Sequence, residues 1–417
     1  MFWPKLSHKE IEELVFKGLD ENLNYRKNAI LGIPGTYLDS EQFYENHPIL
    51  EHAPYLRTLV RNPNHIGCHT LNKDKSEEIF RGTQRIEIDL LETIATELLR
   101  AAPDQTDGYI APGGTEANLQ AIWIYRNYYQ REKGASLDEI ALFFSEDSHY
   151  SMHKGANLMS VKPYEIPVAF ENRKIDPTAF EKLLLSAKEE GKKYFILVAN
   201  MSTTMFGSVD DVDQMVEITD GLGLETKVHV DGAFGGFIYP FIAKNNRLDF
   251  SNPRITSVAL DAHKMLQAPY GTGIFMVRKN WMKQAATLEA SYVPGADYTI
   301  CGSRSGANAI AIFMILFIHG SEGWKKKMKN LVDRTSGLCA DLDDLGIQYF
   351  RNPEMNIVTI KSNEVSDQLA KKYRLVADTY QGEHTWFKIV VMEHVEQDVL
   401  DVFIQELKKE RLAHEQG

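Results

Sequence analysis

Cysteine is scarce, with Cys68, Cys301 and Cys339 the only three in 417 residues. Three thiols without CxxC spacing cannot build a disulfide framework, so a reducing, cytoplasmic setting is the expected one. Positive charge is also short. The 46 Lys and Arg are outnumbered by 58 Asp and Glu, giving a formal net charge of −12. General nucleic-acid binding needs a basic surface and is not expected. Long apolar runs are missing as well. The longest, Ala309 to Ile318, has ten residues, against about 20 for a bilayer-crossing helix, and reads as a buried helix. No membrane association is expected. The start, Met1-Phe2-Trp3-Pro4-Lys5, has neither the basic residues nor the apolar stretch of a signal peptide. His65, Cys68 and His69 are three possible metal ligands in five residues. They have no second cluster at zinc spacing and no HExxH helix beside them, so no metal is expected.

What is present is a globular mix: 43% hydrophobic and 25% charged residues, enough chain for one large domain and a smaller one. A helix is expected from Ser7 to about Asn22, with Ser7 as N-cap and Glu10 in the capping-box position. The rest of residues 1–60 reads as an arm suited to docking on a partner subunit. From about 75 to 300, helical and apolar stretches alternate. Strands are expected at Asp107 to Ile110, Ile140 to Phe144, Tyr194 to Ala199, Val228 to Val230, Ser257 to Leu260 and Gly273 to Val277. Short apolar strands spaced by helices predict a mainly parallel sheet covered on both faces. Helices are expected over Phe80 to Leu99 and Glu116 to Arg131, with Glu87 and Asp89 as exposed residues of the first. A long helix from Ser305 to about Leu345 opens a small α+β unit with strands near 357–360 and 386–391. The division is an arm at 1–60, a large α/β domain at 61–304 and a small domain at 305–417.

The chemistry gathers at strand ends, where open α/β sheets place their ligands. Pro112-Gly113-Gly114-Thr115 follows one strand and opens a helix. It can cradle a phosphate on free N–H groups, or be a glycine turn capped by Thr115. Ser145 to Ser151 follows the next strand, and His149 there can stack on a planar ring or simply bond the backbone. Met201-Ser202-Thr203-Thr204 ends a third strand with hydroxyls. His229-Val230-Asp231-Gly232-Ala233 runs a strand straight into an acid. Asp261-Ala262-His263-Lys264-Met265 ends a fifth strand on a lysine. Cys301-Gly302-Ser303-Arg304-Ser305-Gly306 opens the long helix. Phosphate cradle, ring stacker, hydroxyls, acid and lysine together suit pyridoxal 5′-phosphate (PLP), whose aldehyde takes a lysine and whose ring nitrogen takes an acid.

The motifs GGTEAN (113–118), HVDGAFGG (229–236), DAHKM (261–265) and GSRSG (302–306) resemble those of the group II PLP-dependent amino-acid decarboxylases. The resemblance spans about residues 60 to 410. It implies an α/β fold of the PLP-dependent transferase type I (aspartate-aminotransferase-like) and a homodimer with shared active sites. The implied reaction is decarboxylation of an L-amino acid to its amine through a Schiff base on Lys264. It further implies that Asp231 pairs with the pyridine nitrogen, and that His149 and Ala233 flank the ring. Gly114, Thr115 and His263 would hold the phosphate, and Ser303 would reach it across the dimer. Thr204 matches the second threonine of a GTT-like motif near the ring, with Ser202 in place of its glycine. Tyr292 takes the place of a mobile-loop tyrosine that returns a proton to the α-carbon, a role Lys264 could share. The rival readings are another reaction on the same fold, transamination or aldol-type cleavage, and a catalytically silent PLP-binding protein. An aminotransferase needs an arginine clamp from the small domain, and Arg351 and Arg374 match no such motif.

Overall fold

A strand such as Ile140-Ala141-Leu142-Phe143-Phe144-Ser145 has no polar face, so it must be covered on both sides. The computed structural model describes residues 1–22, 46, 48, 57–58, 64–65, 78–286 and 297–415. In it the strands β1 (Thr106–Ala111), β2 (Ile140–Ser145), β3 (Lys162–Ile166), β4 (Tyr194–Asn200), β5 (Glu225–Gly232), β6 (Ile255–Asp261) and β7 (Gly273–Arg278) form one sheet. Their order is β1-β7-β6-β5-β4-β2-β3. β2 to β6 are parallel, and β7 alone is antiparallel to both its neighbours, β1 and β6. The carboxyl ends of β1, β2, β4, β5 and β6 therefore open on one edge. The six strands expected between residues 75 and 300 all sit in this sheet, most of them longer by one to three residues. β3 had no expected counterpart, because its Lys162-Pro163-Tyr164-Glu165-Ile166 sequence carries the polar outer face of an edge strand.

Helices α1 (His8–Asp20), α2 (Arg81–Thr93) and α3 (Gly114–Lys133) are given by local sequence. Ser7 accepts from the Glu10 N–H while Glu10 reaches back to Ser7, the expected capping box. Gly134 ends α3 in the left-handed region at φ 68°, where glycine has no Cβ penalty. A four-stranded antiparallel sheet, β8 (Tyr349–Phe350), β9 (Ile357–Lys361), β10 (Val376–Ala377) and β11 (Trp386–Val390), makes the C-terminal unit. It has its own core of Leu338, Val358, Ile360, Phe387, Ile389 and Leu407.

The helix expected from Ser305 to Leu345 is broken. It runs Gly306–Asp344, but Gly320 sits at φ 65° and ψ 169°. The N-terminal chain is the physical reason. Residues 3–6 lie in the break: Leu6 N–H donates to Phe317 O (2.8 Å), Ser321 N–H to Trp3 O (3.3 Å), and Trp3 Nε1 to Leu316 O (2.9 Å). A Cβ on Gly320 would come within 2.9 Å of Lys5. The described part of the arm thus docks on its own chain. The apolar run Ala309 to Ile318 is largely inside the core, as expected.

Trp3 is 4% exposed and meets Phe241 edge-on at 6.0 Å. Trp3→Ala is expected to cost about 3 kcal/mol, the usual toll for emptying a buried aromatic site. Trp3→Phe should cost roughly 1 kcal/mol, mainly the lost hydrogen bond. Urea denaturation followed by circular dichroism checks the order; equal losses would mean the indole ring is not packed as described.

Candidate active site

Strand periodicity sets the centre. Side chains two apart share a face, so His229 and Asp231 on β5 point the same way and Val230 the other. Asp231 is buried at 5% exposure, and its carboxylate takes hydrogen bonds only from neutral donors. Asn118 Nδ2 donates to Oδ2 (2.9 Å) and the Ala233 N–H to Oδ1 (3.1 Å). Next to it, β6 delivers Asp261, His263 and Lys264. His263 Nδ1 lies 2.8 Å from Asp261 Oδ1. The pair is misaligned for a hydrogen bond, and both atoms are buried without a hydrogen-bond partner. The Gly114 N–H donates to Asp261 Oδ2 (3.1 Å). Gly114 is glycine for space: a Cβ there would stand 2.9 Å from Ala233 Cβ and 3.0 Å from Asp261 Oδ2. The start of α3 has no side-chain cap, so of the two readings of this turn the one in which Thr115 caps the helix falls away, and Thr115 sits partly exposed at that N-terminus.

His149 stands beyond β2, its Nδ1 2.9 Å from Ser151 Oγ. Burial, with help from the Lys264 charge, holds its imidazole below the usual histidine range, against the pull of Asp231. The Thr203 hydroxyl is spent on Ser208 (2.8 Å), whereas Thr204 is exposed and its carbonyl accepts from Lys388 Nζ (3.1 Å). Ser202, where the motif would have glycine, has φ 81° and a buried Oγ without a partner. Ser303 is exposed, and Ala233 is buried beside Asp231. Tyr292, Cys68 and His69 lie outside the described residues. Among the described residues no group of three or more His, Cys, Asp or Glu could hold a metal ion.

Three residues that motif reading passed over are central here. Asn118 follows Gly114 by four residues and so shares its helix face, and His229 alternates with Asp231. Lys388 is a charged residue in the apolar strand Trp386-Phe387-Lys388-Ile389-Val390. It is partly buried, and burial together with the charge of Lys264 lowers its pKa. Arg351 is occupied by the carbonyls of Met355, Val332 and Pro353 and by Ser336, which removes it as a substrate clamp.

The segment after residue 296 is pinned by a second cluster. Arg304 makes a two-pronged ion pair with Glu87, which also accepts the Ile110 N–H (2.8 Å). Glu87, expected to be exposed, is 3% exposed; the partner that buries it comes from far along the chain. Tyr109 donates to Glu116 (2.8 Å), and Gln120 holds the backbone at Tyr298 (2.7 Å) and Ile300 (3.1 Å). Burial pushes the Glu116 carboxyl up to about 7, against Tyr109, Cys301 and Arg304, which favour its charged form.

The arrangement fits PLP. A buried carboxylate held by neutral donors suits a protonated ring nitrogen, the uncapped start of α3 and the His263 Nδ1 without a hydrogen-bond partner suit a phosphate, and Lys264 is near enough for its charge to act on His149. The family model for the "Pyridoxal-dependent decarboxylase conserved domain" matches residues 65–358. The chain is 48% identical over 413 residues to a "Tryptophan decarboxylase" of Clostridium sporogenes, covering 99% of each chain. It is 29% identical over 339 residues to a "Probable L-tyrosine/L-aspartate decarboxylase" of Methanosphaera stadtmanae, covering 79% of this chain and 83% of that one. Its fold matches the L-methionine decarboxylase of Streptomyces sp. 590 at TM-score 0.71 and 19% identity, covering 96% and 93% of the two chains.

Glu116 makes stability depend on pH in a defined sense. Its folded pKa is raised, so its contribution is full below pH 4.5 and is lost as pH rises through about 7. Between those values the folded state keeps a proton the unfolded chain has released. Glu116→Gln should gain on the wild type by roughly 2–3 kcal/mol from pH 4.5 to 7.5, an upper bound set by the size of the shift. Urea midpoints across that range check it; parallel curves would place a charged Glu116 in the fold.

Proposed function

The chain belongs to the pyridoxal-dependent decarboxylase family, and from that premise we propose that its substrate is L-tryptophan, released as tryptamine and CO2. It is a PLP-dependent carboxy-lyase of fold type I that acts on an amino acid. The end-to-end match to the Clostridium enzyme carries the choice of tryptophan. A second reading, an acidic amino acid, has one specific support: Lys388 places a cation near Lys264 that a side-chain carboxylate would need.

When bound, PLP supplies an electron sink for the pair of electrons left as CO2 departs. Lys264 is the residue we assign to its aldehyde. Asp231 is placed to keep a proton on the ring nitrogen, an ion pair worth roughly 4 kcal/mol at an effective dielectric near 20 before desolvation. His149 and Ala233 would flank the ring, Thr204 would lie at its edge, and Gly114, Thr115 and His263 would hold the phosphate. The Gly114 N–H is shared with Asp261, so Gly114 serves chiefly through its lack of a side chain. Tyr292 or Lys264 returns a proton to the α-carbon as a general acid. For the division into an arm to residue 60, a large domain at 61–304 and a small one from 305, the separate core of the small sheet supports a distinct unit from about Leu338, whereas Trp3 to Leu19 and Ala309 to Val332 pack in the core of the large sheet.

The test of substrate is CO2 release across the amino acids with added PLP. Tryptophan should lead aspartate by about 100-fold or more in kcat/KM, since with Lys388 held by the Thr204 carbonyl a side-chain carboxylate would be desolvated without a full partner. Lys264→Ala should abolish turnover. Faster release from aspartate would overturn tryptophan in favour of the Lys388 reading.

We also propose a homodimer whose sites are shared through Ser303, on its exposure beside the firmly anchored Arg304. Equal mixing of Lys264→Ala with Ser303→Tyr, each inactive alone, should restore up to about a quarter of wild-type activity, because each hybrid of a two-fold dimer keeps one intact site. No recovery despite demonstrated subunit exchange would place Ser303 in its own subunit's site.

A further inference from the structure

Beneath Asp231 lies a continuous chain of buried polar side chains: Tyr125, Ser257, His229, Asn118 and Ser151, each at most 1% exposed. The Tyr125 hydroxyl bonds Ser257 Oγ. Ser257 Oγ is 2.7 Å from His229 Nδ1, and His229 Nε2 is 2.8 Å from Asn118 Oδ1. Asn118 Nδ2 is 2.9 Å from Asp231 Oδ2 and 3.1 Å from Ser151 Oγ. Ser151 Oγ is 2.9 Å from His149 Nδ1, which also receives the Ser151 N–H at 3.3 Å. The chain thus forks at one amide. One arm reaches the acid assigned to the ring nitrogen and the other reaches the imidazole assigned to the ring face.

Donor and acceptor counting gives every link a direction. An ionised carboxylate only accepts, so the Asn118 NH2 must face Asp231. Its second hydrogen then goes to Ser151, and its carbonyl is left facing His229. His229 must therefore carry a proton on Nε2. Burial lowers the His229 pKa to about 4, so it carries no second proton at neutral pH. Its bare Nδ1 accepts from Ser257, which in turn accepts from Tyr125. On the other arm the Ser151 N–H already donates to His149 Nδ1, so that nitrogen is an acceptor, and the Ser151 hydroxyl, which accepts from Asn118, donates to it as well. His149 is thereby fixed as the tautomer with its proton on Nε2.

We propose that Asn118 is the positioning residue that sets Asp231 as an acceptor and His149 as the neutral Nε2–H tautomer at once, with His229 fixing which way its amide points. This deepens the decarboxylase reading and rests on its assignment of Asp231 and His149. The physical gain is charge economy. A ring protonated at its nitrogen attracts one carboxylate below, and a neutral imidazole on its face adds no second cation to oppose it. Serine, asparagine and histidine in place of charged groups do this without another buried ion.

The test begins on the protein without cofactor, so it is independent of the reaction. Nitrogen-15 NMR of histidine-labelled protein, assigned with His149→Gln and His229→Gln, should show Nδ1 bare and Nε2 protonated on both rings at neutral pH. A proton on Nδ1 of either ring overturns the proposal. In the PLP-loaded enzyme, Asn118→Ala and His229→Leu should each weaken PLP binding and lower kcat by about 10- to 100-fold, the range for losing a hydrogen bond to a charged group. KM should change little. His229→Gln, which can still donate to Asn118 Oδ1, should recover most of the loss seen in His229→Leu. Equal defects in the Gln and Leu variants would overturn the directional role. If Asn118→Ala or His229→Leu fails to fold, the wild-type tautomers decide. Failure of Lys264 to bind PLP with both tautomers as stated would overturn the decarboxylase assignment and leave the relay intact.

Discussion

A carboxylate at the middle of a seven-stranded sheet is costly unless its lone pairs are met, and the site is organised around meeting those of Asp231 without a second charge. Among the described residues no lysine or arginine hydrogen-bonds it. The donors are an asparagine amide one turn into α3 and the backbone N–H two residues after Asp231. This requires α3 to begin very close to the ends of β5 and β6. Gly114 permits that approach, and its N–H is drawn to Asp261. The phosphate end of the site is consequently fixed by the same packing that satisfies the acid. Glycine, asparagine and aspartate in this corner are parts of one solution.

The other charges of the region follow the opposite rule. Arg304 and Glu87 are both buried and cancel each other, with the Ile110 backbone completing Glu87. Removing one partner of such a pair leaves a stranded charge and is far worse than never having built it. Its use here is positional. Arg304 adjoins Ser303, and its anchoring to α2 and to the strand that feeds the glycine turn holds the two sides of the site in register. Glu116 is the exception that neither charge rule covers. It has neutral donors and a nearby arginine, yet burial still leaves it close to half-protonated near neutrality.

How legible all this was depends on the range of the cause. The capping box at Ser7 and Glu10, the apolar strands and the glycine after β1 are local signals, and they read correctly. The broken helix did not. Gly320 lies in a stretch that is helical on both sides, and its break exists because Trp3 and Leu6 arrive from some 300 residues away. Glu87 failed for the same reason, its partner being Arg304. Asn118 and His229 stood inside two of the four motifs that carry the family resemblance yet had no assigned role. Their meaning is a hydrogen-bond direction, visible only once α3 and β5 are adjacent. The spacing clues, four residues from Gly114 and two from Asp231, were in the sequence, but spacing gives a shared face and not a partner.

Ser202 shows how a departure from a family pattern can be absorbed. Its φ of 81° is the left-handed region that a glycine would occupy freely, and its hydroxyl is buried without a partner. Two unfavourable features at one residue persist only where the surroundings over-determine the backbone. They do so here. Thr203 N–H donates to Ser208 O, Gly207 N–H to Thr203 O and Asp210 N–H to Asn200 O, closing residues 200–210 into a tight loop. Gly235 packs so near that a Cβ on it would sit 1.9 Å from Met201 O and 3.0 Å from Ser202 Cβ. The loop geometry turns Thr203 inward to Ser208 and leaves the Thr204 carbonyl facing Lys388 of the small sheet. The strain at Ser202 is thus tied to a contact between the two sheets. The side chain of position 202 matters less than the turn it makes, which is why serine can stand where glycine was expected.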